Sequence, residues 1–269
     1  MWIGVGKGKG GSGCTTTALE LAHAAARRRS REDPPRGVAY LDLDPQGDGT
    51  TVLEPERLTP GLKDVLLPPG AGASAVPLRQ VLAPSVRPGM LVAPASRYLA
   101  NRDLDMGPAV SALRRARESG EIDDLAADVI VDLPKDLGKL AMSGLLAVES
   151  LFIVARASLW SAQGAEEMRY TADRIRARWN PELRIAGVAV TEYDDSRDAK
   201  RIIRDIRESK NLGKLILTPL IPRNVLVRES VESFHTPLRD FGDPGLTEIA
   251  DIYQGMYDTV RAQHERAGQ

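Results

Sequence analysis

Short apolar runs alternate with stretches of helical periodicity along the whole of this chain. Residues 1–5, 38–41, 90–93, 129–131, 151–154 and 185–190 have the length and apolar continuity of buried strands. Over 15–29, 105–118, 138–149, 161–178, 197–210 and 246–264 the apolar positions instead recur at helical spacing. Strands apolar on both faces and separated by helices predict an α/β fold: a doubly wound, mostly parallel sheet flanked by helices. Asp33-Pro34-Pro35-Arg36-Gly37 and Pro68-Pro69-Gly70-Ala71-Gly72 mark loops, and neither is long enough to read as an interdomain linker. With no internal repeat, the pattern predicts a single domain over residues 1–269.

Composition narrows the class. The 269 residues are 42% hydrophobic with a formal net charge of -1, enough for a sizeable core and too balanced for a bulk polycation. Cys14 stands alone, which excludes a disulfide framework or thiolate cage within the chain. His23, His235 and His264 are scattered, which argues against a zinc site. No apolar run reaches transmembrane length, and a strand pattern starts at the N-terminus. A cytoplasmic location without signal peptide or membrane partner is therefore expected.

Chemistry concentrates first in Gly8-Lys9-Gly10-Gly11-Ser12-Gly13-Cys14-Thr15-Thr16. Gly8 and Gly13 match the glycine positions of a phosphate-binding loop, and Thr15 matches the hydroxyl that holds magnesium. Cys14 occupies the lysine position. Glycines between a strand and a helix let backbone amides converge, and the helix N-terminus favours an anion there. Two acidic motifs fall at strand ends, where open α/β sheets place ligands. Asp42-Leu43-Asp44-Pro45-Gln46-Gly47 closes one strand, and period-two alternation directs Asp42 and Asp44 to the same side, toward the loop. Asp132-Leu133-Pro134 closes another, and Asp132 suits magnesium held through water.

Lys9–Gly13, Thr15–Thr17, Asp42–Gly47, Asp132–Pro134 and Ile221-Pro222-Arg223-Asn224-Val225 together resemble the ParA family. These are the deviant Walker ATPases of plasmid and chromosome partition, P-loop NTPases of the MinD–ParA type. The resemblance runs from Trp2 to about Tyr257. It implies ATP and Mg2+ as cofactors and an ATP-sandwich homodimer. Lys9 would then reach the partner's phosphates, and Asp44 would position the attacking water. Gly10, Gly11, Ser12, Gly13 and Cys14 would line the phosphates, with Thr16 on the α-phosphate side. Thr15, Asp42 and Asp132 would serve the metal. Pro222, Arg223 and Asn224 would hold adenine. Relatives without an N-terminal helix-turn-helix domain bind DNA nonspecifically, and no such domain is expected here.

The departures from the family pattern have consequences. Losing a charge-assisted bond at position 14 costs roughly 1.5–3 kcal/mol, or one to two decades of affinity. Lys7 either substitutes for that charge or faces solvent. Cys14 is either a small tolerated side chain or a thiol activated by the helix N-terminus. For DNA, the pattern predicts a helix from Arg197 to Lys214 with Arg197, Lys200, Arg201, Arg204 and Arg207 on one face and Lys210 and Lys214 further along. Arg197 and Arg228 lie nearest the family's DNA-contacting arginines. Asp198, Asp205 and Glu208 interleave.

The nitrogenase iron protein needs paired cluster cysteines that this chain lacks. MinD-type relatives end in a membrane-binding helix, whereas Leu246, Ile249, Ile252, Met256 and Val260 read as core-packing positions. Trp2, Trp160 and Trp179 read as packing residues. The expected function is an ATP-switched, nucleoid-associated partition protein working with a ParB-type or small adaptor partner, with slow or impaired hydrolysis. McdA-like positioning of a protein cargo and a DNA-binding or regulatory pseudo-ATPase are the alternatives.

Overall fold

The computed structural model describes residues 1–7, 11–32, 34, 36–66, 75–102 and 107–267. The expected loop at 68–72 lies outside them. Seven strands form one sheet: β1 (Trp2–Gly6), β2 (Gly37–Asp42), β3 (Ala83–Pro84), β4 (Met90–Ala93), β5 (Ala126–Asp132), β6 (Ser150–Arg156) and β7 (Arg184–Thr191). Their order is β3-β4-β2-β5-β1-β6-β7. Every pairing is parallel except that of β3 with β4. The sequence pattern misses the two-residue edge strand β3, which is too short to show a period.

The helices are α1 (Cys14–Arg29), α2 (Asp48–Leu53), α3 (Leu62–Leu66), α4 (Leu78–Val81), α5 (Ala112–Glu118), α6 (Lys139–Ala147), α7 (Leu159–Arg178), α8 (Arg197–Glu208), α9 (Leu226–Arg228) and α10 (Pro244–Ala267). The pleat divides the core in two. Val129 and Val131 of β5 pack with Leu113, Leu145, Met168 and Ile203 from α5 to α8. Ile130, between them, packs on the opposite face with Leu19 and Leu21 of α1 and Leu246 and Tyr257 of α10. Leu246, Ile249, Met256 and Val260 are buried, so α10 is a core helix. Among the described residues no helix is long and apolar enough to cross a membrane.

β1 lies between β5 and β6, so the connection from β1 through α1 to β2 crosses over β5. Register aligns Val5 with Asp132 and Asp42 with Asp132, bringing three strand ends together. A Cβ at Gly6 would come within 2.8 Å of Met168 Cε, so that flexible side chain would have to shift to admit one. At the other end of β5, Asp128 accepts from Arg29 Nε at 2.6 Å, Arg29 Nη2 at 3.0 Å and the Tyr257 hydroxyl at 2.7 Å. These bonds hold its carboxyl below the usual range against the opposing effect of burial.

Candidate nucleotide site

α1 starts without a side-chain cap. Gly13, its N-cap, has φ 76°, and the first turn contains no acid. Left-handed backbone is open to glycine and strained for other residues. The first-turn amides therefore face a position that favours an anion. Ser12 Oγ is buried without a partner, while its carbonyl accepts from Thr191 Oγ1 at 2.7 Å. Gly11 also has positive φ, and its carbonyl accepts from Arg156 Nη1 at 3.3 Å. Lys9 and Gly10 lie outside the described residues.

Cys14 is 2% exposed and turns beneath the loop. Its thiol donates toward the Val5 carbonyl at 3.4 Å and Asp132 Oδ1 at 3.6 Å. Burial, reinforced by the charge of Asp132, pushes the thiol well above its ordinary pKa. Of the two readings of Cys14, its enclosure and raised pKa favour the small tolerated side chain over the activated thiol.

Asp42 and Asp132 are both fully buried. Asp42 Oδ2 accepts from the Thr50 amide and hydroxyl, each at 2.7 Å, and its Oδ1 accepts from the Asp44 amide at 3.2 Å. Burial, and then the charge of Asp132, push Asp42 up to about 8 despite the Thr50 bonds. Asp132 Oδ2 accepts from the Tyr40 hydroxyl at 3.0 Å, and Thr15 is close enough to favour the charged form of this carboxyl. Burial pushes Asp132 up to about 6, with Lys7, Thr15 and Tyr40 pulling back. β2 ends at Asp42, and Asp44 opens the following turn, its carbonyl accepting from Gly47 N at 2.9 Å, while Leu43 still packs with Ala39 and Leu41. Asp44 Oδ1 accepts from the Gln46 amide at 3.0 Å, and its Oδ2 lies 3.6 Å from Lys7 Nζ.

Lys7 does not face solvent; its side chain is 11% exposed. Burial opposes its charge, but the groups gathered around it, the Asp132 and Asp44 carboxylates among them, outweigh burial and raise the pKa. Among the described residues, no three His, Cys, Asp or Glu side chains converge as a metal cage. Magnesium does not need one, since it keeps several waters and relies on phosphates with one or two carboxylates. Thr15 near Asp132, beside a second buried carboxyl, fits such an ion.

A cavity of about 500 Å³ opens from this loop, with Gly11, Gly13 and Thr16 on one wall and Pro222, Arg223 and Asn224 on another. Backbone bonds fix the second wall to the end of β7: Tyr193 N donates to Ile221 O at 3.0 Å, and Arg223 N donates to Tyr193 O at 2.8 Å. Asn224 Oδ1 accepts from Leu226 N at 2.9 Å and starts α9. Arg228 lines this same cavity, apart from the basic face of α8.

α8 ends at Glu208, so the expected helix to Lys214 is corrected: Lys210 and Lys214 lie beyond it. Arg197, Lys200, Arg201, Arg204 and Arg207 are exposed. Surface carboxylates engage part of this stripe. Lys200 pairs with Asp195 at 3.3 Å, Arg201 with Asp198 at 2.7 Å, and Arg204 with Asp205 at 3.7 Å. Trp2 is buried, but Trp179 is 41% exposed with the Arg178 guanidinium over its ring, a correction to its reading as a packing residue. Tyr40, Thr50, Arg156 and Thr191 were not identified from sequence. Tyr40 and Thr191 read only as strand positions, and Thr50 reaches Asp42 across a turn that carries no motif.

The family model described as AAA domain matches residues 1–185. The chromosome-partitioning ATPase Soj of Thermus thermophilus is 32% identical over 86% of this chain and 85% of its own length. Among solved structures, cobyrinic acid a,c-diamide synthase from Mycobacterium smegmatis, with bound ATP analogue and magnesium, is 25% identical. It superposes with a TM-score of 0.75 over 100% of this chain and 96% of its own. The ATP complex of McdA from Cyanothece superposes with a TM-score of 0.78 at 18% identity, over 96% and 95% of the two chains, a likeness of fold. The family match and the Soj relative agree with the strand-end geometry, and the chain belongs to the ParA family of partition proteins.

Proposed function

We propose that this single-domain protein is a nucleotide-operated switch for partition. It binds Mg-ATP at the loop between β1 and α1 and pairs with a second copy around that nucleotide. It then associates nonspecifically with nucleoid DNA and moves cargo through a ParB-type or small adaptor protein. The observation that carries this reading is the convergence of the uncapped α1 N-terminus, Thr15 with Asp132, and the cavity walled by Pro222–Asn224. ATP would place its phosphates on the α1 amides and its base in that cavity. The metal would supply charge neutralisation between the phosphates, with Thr15 as its protein ligand and Asp42 and Asp132 orienting its waters. Asp44 would hold the hydrolytic water. Lys9 would reach across to the second copy. Arg197, Lys200, Arg201 and Arg204 would meet DNA phosphates on α8, with Arg228 nearer the nucleotide.

Isothermal titration of Mg-ATP into the protein tests the reading. Micromolar binding is expected, followed by a shift to dimer mass in light scattering and ATP-dependent retention of duplex DNA. Absence of binding at millimolar ATP would overturn it. The neutral thiol at position 14 favours one second reading, a pseudo-ATPase that binds nucleotide and DNA without turnover. Binding without phosphate release, in the presence of DNA, would identify it.

A further inference from the structure

We propose that Lys7, delivered from the end of β1, supplies the phosphate-facing ammonium that position 14 lacks. The inference rests on the nucleotide reading of the site and deepens it. Position 14 offers no cation, and its thiol turns inward toward the Val5 carbonyl and Asp132. Lys7 comes two residues after Val5, just past the end of β1, and its side chain is almost wholly enclosed. β5 lies between β1 and β2, so a chain from the end of β1 that reaches Asp44 must cross the tip of β5, where Asp132 stands. Its ammonium is therefore placed over the same strand end that Cys14 touches from below, reaching it from the strand instead of from the helix.

A buried lysine needs a counter-charge, and among the described residues Asp44 lies within ion-pair distance at 3.6 Å. That separation is longer than the roughly 2.7–2.9 Å of a tight charge-assisted bond, so the ammonium keeps donors for an anion. The strand supporting it is fixed on both sides by parallel neighbours, which defines the starting point of the side chain. Binding of a polyphosphate would draw Lys7 from Asp44 and release that carboxylate to hold water. Lys7 would then link occupancy of the phosphate site to the state of Asp44.

The test compares ADP, whose second phosphate would meet Lys7, with AMP, which lacks it. Both are titrated with magnesium into wild-type protein and Lys7→Met, which keeps the apolar stem. ADP affinity should fall roughly ten- to a hundredfold, as for loss of one charge-assisted contact, while AMP affinity stays within about twofold. Adding Cys14→Lys to Lys7→Met should recover most of the ADP affinity. An unchanged ADP Kd in Lys7→Met overturns the inference, as does an equal loss for ADP and AMP. A double variant that melts cooperatively yet binds no better than Lys7→Met also overturns it.

Where Lys7→Met loses its cooperative melt, Cys14→Lys alone decides. A gain in ADP affinity under about threefold means that Lys7 already fills the role, and a gain of tenfold or more means that it does not. Wild-type protein that binds neither nucleotide at millimolar concentration would instead remove the nucleotide reading itself. That outcome is distinct from a wild type that binds ADP and a Lys7→Met variant that binds it equally well.

Discussion

The Cys14 thiol combines enclosure with a raised pKa, and both slow thiolate chemistry. Native protein should therefore react with a disulfide reagent at pH 7.5 far more slowly than denatured protein, by at least a hundredfold in a timed thiol assay. Asp42 and Asp132 give a second prediction at this scale. Their folded pKa values, about 8 and about 6, lie above the roughly 4 of an unfolded carboxyl. In that interval the folded state holds more protons than the unfolded state, so the stability these two groups contribute is fully present below about pH 4 and is lost as pH rises through 6 and 8. The melting temperature of nucleotide-free protein should decline over this range, and Asp42→Asn should flatten the decline above pH 6. Tyr40→Phe removes a donor to buried Asp132 and should cost about 1–3 kcal/mol in denaturant unfolding. The motif residues were legible because glycine spacing and strand-end aspartates have a fixed chemistry. The orientation of Lys7 was not, since a strand-end lysine reads alike whether it faces water or an acidic neighbour.

At the scale of elements, the Arg29–Asp128 pair joins the end of α1 to the start of β5, with Tyr257 of α10 on the same carboxylate. With Arg29 removed, Asp128 keeps the Tyr257 hydroxyl and the Met1 ammonium at 3.9 Å, so Arg29→Ala should destabilise by up to about 3 kcal/mol in chemical denaturation. Lys200→Ala and Arg201→Ala remove exposed pairs and should each leave the denaturation midpoint nearly unchanged. If α8 meets DNA, the same changes should lower the salt slope of duplex binding by about one each. Apolar runs located six of the seven strands, because parallel strands buried on both faces need continuous apolar sequence. The pattern gave no sign of α2, α3 and α4, which span too few turns for periodicity. α8 stopped earlier than its charge pattern suggested because Ser209 is extended, with ψ 128°, and its amide closes onto the Ile206 carbonyl.

For the whole molecule, the sheet order places the loop after β1, the turn after β2 and the end of β5 at one rim. Alternation of strands and helices predicted the doubly wound class. It could not specify the order of the strands, which depends on which crossovers pack.

α1 is attached to one strand at both of its ends. Cys14 meets Asp132 at the top of β5, and Arg29 meets Asp128 at the bottom. A beam pinned at two points can bow but cannot slide. Its remaining side is tied to α10 by hydrogen bonds between Thr17 and Tyr253 and between Arg27 and Gln254, so a bow in α1 would be felt by α10 as well as by the sheet.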